Sequence, residues 1–124
     1  MAEMLCFQCE QTAGGTGCTK IGVCSKKPEV AHKQDQLVAA LIGLAWAAKG
    51  KSPGKKTDAL VMQSLFATLT NVDFDPVRID EFKEQVEKEK AKLGKADDLK
   101  PISMINTVRT CLYFYPLKLK ALFL

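Results

Sequence analysis

Four of the five cysteines in this chain lie within the segment CFQCEQTAGGTGCTKIGVC, near the N-terminus. Their spacing is C-x2-C-x8-C-x5-C, formed by Cys6, Cys9, Cys18 and Cys24. A C-x2-C pair allows two thiolates to bind one metal centre within a single turn, and the chain can then return to supply two more. This spacing predicts an irregular N-terminal segment that is organised around its cysteines.

The start of the chain bears on the redox environment of these thiols. MAEMLCFQCE has no cationic region, long apolar stretch or small-residue cleavage site, so we expect no signal peptide. The most apolar internal run, LVAALIGLAWAA, is shorter than the ~20 residues that span a bilayer. We therefore expect a cytoplasmic protein with no membrane segment. In a reducing cytosol, clustered cysteines indicate metal or redox chemistry rather than structural disulfides.

Size and charge exclude some other functions. A chain of 124 residues suits one compact domain, and a content of 47% apolar and 26% charged residues is ordinary for a globular protein. The net charge of +4 comes from 18 basic and 14 acidic residues, with the lysines spread along the chain. Nucleic-acid-binding proteins usually concentrate positive charge on one face and carry a recognisable motif. We therefore expect no nucleic-acid partner.

Two kinds of metal centre are compatible with four thiolates, namely a tetrahedral zinc ion and an iron–sulfur cluster. Zinc sites usually have two short knuckles, and the five residues between Cys18 and Cys24 make a poor second one. The glycines of AGGTG can bring backbone N–H groups close to an anionic cluster, although they could also serve only to make turns. The pattern favours iron–sulfur and leaves zinc open.

The rest of the chain predicts an all-α fold. We expect a helical bundle at 31–124, preceded by an irregular cysteine-rich arm at 1–30 that belongs to the same structural domain. Apolar residues recur at helical intervals downstream of the arm. The segment LYFY, however, could also form a short strand. The predicted helices cover about 29–49, 57–70, 76–93 and 101–114.

Several positions carry more specific expectations. Thr57 is expected to cap the second helix, and Asp75 followed by Pro76 is expected to begin the third. The apolar arc of the first helix is wide, and an aromatic residue widens that of the second. We therefore expect Trp46 and Phe66 to be core residues.

The segment CFQCEQTAGGTGCTKIGVCSKKPEVA, which contains the four cysteines, resembles the N-terminal signature of the hybrid-cluster proteins, also called prismane proteins or hydroxylamine reductases. The form found in anaerobes has the same cysteine spacing, with CFQC, TGCT and the cysteine–lysine–proline segment in the same order. Further on, QDQLVAALIGLAWAA and SLFATLTNVDFDPVRIDEF resemble the next helices of that family. The resemblance covers residues 4 to about 85.

This resemblance implies a fold, a cofactor and an activity. It implies a first domain that is a helical bundle and a [4Fe–4S] cubane cluster whose ligands are Cys6, Cys9, Cys18 and Cys24. Full-length members reduce hydroxylamine to ammonia, and have been linked to nitric oxide reduction, at a second, hybrid iron–sulfur–oxygen cluster. The His, Glu and Cys ligands of that cluster come from later domains, which we expect this chain to lack. We therefore expect an iron–sulfur electron-transfer domain, cut short relative to the family and not catalytic alone, so that its status as an oxidoreductase stays open.

Some residues outside the four cysteines have weaker functional readings. His32 and Cys111 lie in no matching ligand motif, and we expect a solvated or capping histidine and a core cysteine. Glu10 and Gln11 could tune the cluster or simply face solvent. An acidic electron donor, such as a ferredoxin or flavodoxin, could dock on nearby positive charge, which could equally be an ordinary surface. That charge is carried by Lys20, Lys26, Lys27 and Lys33.

Two other functions fit the same residues. The first is a zinc-binding interaction module, which would have no redox activity because zinc has no redox chemistry. The second is a non-functional remnant, because the last nine residues, PLKLKALFL, alternate apolar and basic residues and fit no assignable element. Metal content and colour separate the zinc module from the iron–sulfur protein.

Overall fold

The computed structural model describes residues 3–94, and in this range the arm is followed by three α-helices. Helix α1 spans Pro28–Ala48, α2 spans Lys55–Ala67 and α3 spans Pro76–Leu93. The same range contains no β-strand, and its one β-type pairing is an isolated bridge within the arm. The all-α prediction is confirmed. The helix predicted at 101–114 lies outside the described residues.

Helix α3 begins and ends where local chemistry predicts. The Asp75 carboxylate accepts a hydrogen bond from the Val77 N–H at 2.9 Å, and Pro76 occupies the first helical position. The helix ends at Leu93, before Gly94, whose φ of 84° is easily adopted by glycine. Cap, proline and glycine are sufficient to define this helix from the sequence.

The predicted start of α2 is wrong. The helix begins at Lys55, with Gly54 in the N-cap position, so Thr57 lies inside the first turn. The Thr57 side chain is buried, and its hydroxyl donates a hydrogen bond to the Glu89 carboxylate of α3 at 3.3 Å. Thr57 therefore has its partner on a neighbouring helix rather than on its own backbone, a contact that no local pattern reveals.

The principal core lies between α1 and α3, with α2 packed mainly on α3. Burial of the apolar faces supplies most of the free energy that holds such helices together. The buried core residues are Val30, Leu37, Ala40, Leu41, Leu44, Leu60, Ile79 and Val86. A buried amide adds a polar tie, because Gln34 of α1 donates to the carbonyl oxygens of Ala67 at 3.4 Å and Asp73 at 3.1 Å. These two hydrogen bonds hold α1 against the end of α2 and the connection that follows it.

Two aromatic residues expected in the core are exposed. Trp46 is 47% exposed and Phe66 is 62% exposed, so that prediction is wrong for both. The buried residues of α1 and α2 recur every three or four positions, and neither aromatic residue falls on those stripes. A wide apolar arc shows only that many residues of a helix are hydrophobic. A side chain on that arc is buried only where another element packs against the same side of the helix.

None of the helices in residues 3–94 combines the length and apolarity needed to cross a bilayer.

Candidate metal centre

The cysteine-rich arm folds back on itself so that Cys6 and Cys18 lie directly opposite each other. In this antiparallel bridge the Cys6 N–H donates to the Cys18 carbonyl at 3.0 Å, and the Cys18 N–H donates to the Cys6 carbonyl at 2.9 Å. In such a hydrogen-bonded pair the Cα atoms are about 5.5 Å apart and the side chains share one face. The backbone therefore holds two of the four predicted ligands side by side.

The arm is anchored to the start of α1. Met4 and Cys18 are buried against Ala31, in a small apolar cluster separate from the principal core. On the neighbouring residue of the helix, the exposed His32 donates from Nε2 to the Glu3 carbonyl at 2.8 Å. His32 is exposed, as expected, and it also ties the beginning of the arm to the helix. These contacts place the bridge against a helix that belongs to the core.

The sulfur of Cys18 accepts hydrogen bonds from its surroundings. Its Sγ accepts from the Ala13 N–H at 3.4 Å and lies 3.7 Å from the Thr12 hydroxyl. The Ala13 N–H lowers the pKa of the Cys18 thiol; the Val23 N–H, the Thr12 hydroxyl and the Lys26 charge act in the same direction, against the effect of burial. A lowered pKa favours the thiolate, which is the form that binds metals.

Close packing around two glycines shapes the second half of the cysteine segment. Gly17 has a φ of 120°, and a Cβ there would lie 2.9 Å from a methyl carbon of Leu5. Gly22 packs against the sulfur of another predicted ligand, since its Cβ would lie 3.1 Å from the Cys24 Sγ and 3.0 Å from the Lys26 Cβ. The absence of a side chain at these two positions is therefore what allows the chain to pass close to the cysteines.

Cys24 lies in a tight turn that leads into α1. The Gly22 N–H donates to the Lys26 carbonyl at 2.8 Å, and the Ser25 N–H donates to the Gly22 carbonyl at 2.8 Å. Ser25 adopts a φ of 67°, which is uncommon for a residue with a side chain. This turn carries Cys24 and brings Lys26 back toward the arm.

Lys26 is buried, which contradicts its expected place in an exposed docking patch. Its side chain is only 2% exposed. The ammonium donates to Gln8 Oε1 at 2.9 Å, lies 3.8 Å from the Cys6 Sγ and sits 6.0 Å from the centre of the Phe74 ring. The burial of Lys26 could not be predicted from the sequence, because the residues on either side of it are exposed and burial here follows no periodic pattern.

The other lysines of the expected patch also differ from one another. Lys33 forms an ion pair with Asp80 of α3 and is only partly exposed. Lys20 and Lys27 are exposed. Of the four lysines expected to form a docking surface, only Lys20 and Lys27 are therefore exposed. Glu10 and Gln11 face solvent, as the plainer of their two expectations states.

The structure does not bring all four thiols into one group. All four cysteines of the arm are free thiols; Cys18 is buried, and Cys6, Cys9 and Cys24 are half-buried. Within residues 3–94, no three side chains of His, Cys, Asp or Glu are close enough together to hold a metal ion. The bridge therefore pairs two ligands, while the other two lie on the same arm without converging on them. Cys111 lies outside the described residues.

Two cavities help to decide where the candidate site lies. A cavity of about 740 Å³ lies between α2 and the first half of α3, and no cysteine lines it. A smaller space of about 50 Å³ lies where the arm meets the helices, lined by Cys6, Gln8 and Lys26 among others. We assign the candidate site to the arm, because thiol chemistry is located there and not in the larger cavity.

The chemistry of the arm fits an anionic iron–sulfur centre. Its four cysteines are unpaired as disulfides, and hydrogen bonds hold one of them toward the thiolate. A buried ammonium, that of Lys26, lies 3.8 Å from the sulfur of a second cysteine, Cys6. A buried cation normally requires an anionic partner. Thiolates bound to iron would provide one, with Cys6, Cys9, Cys18 and Cys24 as the holding residues.

Comparison with known proteins gives a consistent picture. The model of the Prismane/CO dehydrogenase family matches residues 4–113. A protein named hydroxylamine reductase from Syntrophobacter fumaroxidans is 46% identical over 119 residues, which covers 86% of this chain and 22% of that protein. A hydroxylamine reductase from Geobacter metallireducens is 54% identical over 80 residues, or 61% of this chain and 15% of that protein. The chain thus spans about a fifth or less of the length of these relatives.

Proposed function

Because this chain belongs to the Prismane/CO dehydrogenase family, we propose that it is an iron–sulfur electron-transfer domain of the hydroxylamine reductase type. Family members bind iron–sulfur clusters. For this chain we propose a [4Fe–4S] cluster held by Cys6, Cys9, Cys18 and Cys24. The observation that carries the proposal is the Cys6–Cys18 bridge, which sets two of these cysteines opposite each other beside a buried ammonium.

The residues of the arm have distinct tasks in this proposal. When bound, the cluster supplies one-electron transfer. The thiolates ligate iron, and the Ala13 N–H stabilises the negative charge on the Cys18 sulfur. Met4 and Ala31 cover the Cys18 side of the bridge with apolar surface and so limit the access of water. The turn at Gly22 keeps Cys24 next to the beginning of α1.

We further propose that electrons leave this cluster for a hybrid iron–sulfur–oxygen cluster outside the 124 residues. Hydroxylamine, reduced to ammonia, would be the substrate of the complete enzyme, and nitric oxide is a second candidate substrate. Apart from the four arm cysteines, this chain offers only Cys111 and His32 as cysteine and histidine ligands. We therefore expect no hydroxylamine reduction by this chain alone.

The electron donor is proposed to be a small acidic redox protein such as a ferredoxin or flavodoxin. Near the arm, Lys20 and Lys27 are exposed, and the apolar side chains of Ile21 and Val23 are 58% and 59% exposed. Positive charge around an apolar patch suits brief docking of an acidic protein, with the charges steering the encounter. A cytoplasmic location is part of this proposal, because free thiols are maintained there.

Metal analysis of the purified chain tests the cluster. After anaerobic reconstitution we expect a brown protein with an absorption band at about 400 nm and with about four irons per chain. A colourless protein with a single zinc would instead support the zinc-binding interaction module.

Serine variants test the ligands one at a time. Replacement of any of the four arm cysteines should sharply lower the iron content and alter the EPR spectrum, whereas Cys111→Ser should retain the cluster and serves as the matched control. An intact cluster in any one of the arm variants would contradict the ligand assignment. An assay with reduced viologen should show no hydroxylamine turnover, and turnover would refute the relay role. The arm variants are Cys6→Ser, Cys9→Ser, Cys18→Ser and Cys24→Ser.

A further inference from the structure

Lys26 carries a cationic group, yet the residue is almost completely buried. With 2% of its surface exposed, it is the largest of the almost completely buried side chains in the described residues. Moving an ammonium group out of water is unfavourable unless an anion and hydrogen bonds compensate for the lost hydration. The contacts of Lys26 therefore indicate what the site around it is built to hold.

Those contacts point to the cysteine arm. The ammonium donates to the Gln8 amide oxygen at 2.9 Å and lies 3.8 Å from the Cys6 sulfur, with the Phe74 ring 6.0 Å away. Of these three groups, the Cys6 sulfur is the one that the proposed function places on the cluster, and thiolates bound to iron carry negative charge. The ammonium therefore lies where it can compensate part of the negative charge of a bound cluster.

Lys26 also joins the arm to the helices. Gln8, which accepts from the ammonium, donates its own amide N–H to the carbonyl of Thr68 at the end of α2. Phe74, whose ring faces the ammonium, belongs to the connection between α2 and α3. Through these two contacts Lys26 fastens the Cys6 side of the bridge to the bundle.

We infer that Lys26 is a positioning residue that holds the Cys6 side of the arm against the helices and raises the reduction potential of the cluster bound there. This inference rests on the proposed function. Reduction adds one electron from the donor to the cluster and makes it more negative, with no bond formed or broken. A fixed positive charge close to Cys6 stabilises the reduced state more than the oxidised state.

The test compares Lys26→Met with Lys20→Met in the full 124-residue chain. Methionine keeps a similar length and removes the charge, and Lys20 is an exposed lysine of the same arm. Reduction potentials are measured by EPR-monitored titration of the reconstituted proteins. At a fixed potential we expect Lys26→Met to change the ratio of oxidised to reduced cluster by about tenfold in favour of the oxidised form, which is ~59 mV for one electron. Lys20→Met should change it much less.

A second measurement uses the same variants without the cluster. Hydrogen exchange at the Cys6 and Cys18 amides, which form the bridge, should be faster in Lys26→Met than in Lys20→Met. Equal potentials and equal exchange in the two variants would overturn the inference. If wild-type protein forms no cluster, the proposed function fails, and the exchange rates alone decide the positioning role. If only Lys26→Met fails to assemble a cluster, exchange again decides: faster exchange supports the inference, and equal exchange overturns it.

Discussion

Replacing Gly22 by alanine adds one methyl group at a tightly packed point of the arm. The new carbon would lie 3.0 Å from the Lys26 Cβ, 3.1 Å from the Lys26 backbone nitrogen and 3.1 Å from the Cys24 sulfur. The Lys26 nitrogen is a backbone atom, and the Lys26 Cβ is bonded to the same backbone. Because the 2.8 Å hydrogen bond between Gly22 and Lys26 holds this backbone in place, neither atom can simply rotate away. The turn itself must therefore shift.

The size of the effect depends on two opposing contributions. Overpacking of this kind costs about 1–3 kcal/mol. Alanine also restricts the unfolded chain, which returns about 0.4–1 kcal/mol. We therefore expect the free energy of unfolding of the metal-free chain to fall by about 1.3 kcal/mol, the difference between the middles of these ranges, and by no more than about 2.6 kcal/mol. Because the Cys24 sulfur is one of the crowded atoms, we also expect the reconstituted variant to bind less iron than the wild type.

Urea unfolding followed by circular dichroism measures the stability change, provided that the slope with denaturant is unchanged. The matched control is Gly54→Ala, where no atom lies within 4 Å of the added Cβ. Alanine is a poorer N-cap than glycine at this position, but it also restricts the unfolded chain, and because these two effects oppose each other we expect a net change below about 0.5 kcal/mol and full iron content. If Gly22→Ala were as stable as Gly54→Ala and bound as much iron, the close packing around Cys24 would be incorrect.

Two further predictions concern the helices. Ile79→Ala should lower the free energy of unfolding by about 2–5 kcal/mol, because Ile79 is completely buried between the helices; Val77→Ala, at a 66% exposed site on the same helix, should change it by less than about 0.5 kcal/mol, and similar losses in both would contradict the core assignment. The hydrogen bond from Lys92, then the charge of Lys92 and the hydrogen bond from Thr57, hold the pKa of Glu89 below its ordinary value of 4.5. Because the folded pKa is the lower one, the Glu89 carboxylate contributes stability above pH 4.5 that is lost as the pH falls through the folded pKa. Glu89→Gln should therefore make unfolding free energies less dependent on pH below 4.5, and an unchanged acid titration would contradict this.

Local chemistry explains which parts of the fold were predictable. The cap at Asp75, the proline after it and Gly94 define α3 within a few residues of sequence, and all three operate as predicted. The start of α2 was not predictable in the same way, because Thr57 has cap chemistry but uses its hydroxyl on Glu89 of another helix. Helix ends follow from sequence when the capping group has no competing partner in the tertiary structure.

The candidate site was also predictable only in part. The spacing of the cysteines, and with it the prediction of a metal centre, can be read from the chain alone. The pairing of Cys6 with Cys18 could not, because it depends on how the arm folds back and packs on Ala31. The convergence of all four thiols remains a prediction, since the described structure pairs only these two.

The sequence by itself determined that this protein is helical, that four of its five thiols lie on one short arm and that it resembles the prismane proteins. These properties depend on residue type and on spacing over a few positions. Only the tertiary structure decided that Lys26 is buried beside Cys6 while Trp46 is exposed. The physical reason is that burial depends on which surfaces meet: a lysine is buried where the arm closes over it, and a tryptophan stays in solvent where no described element covers its side of the helix.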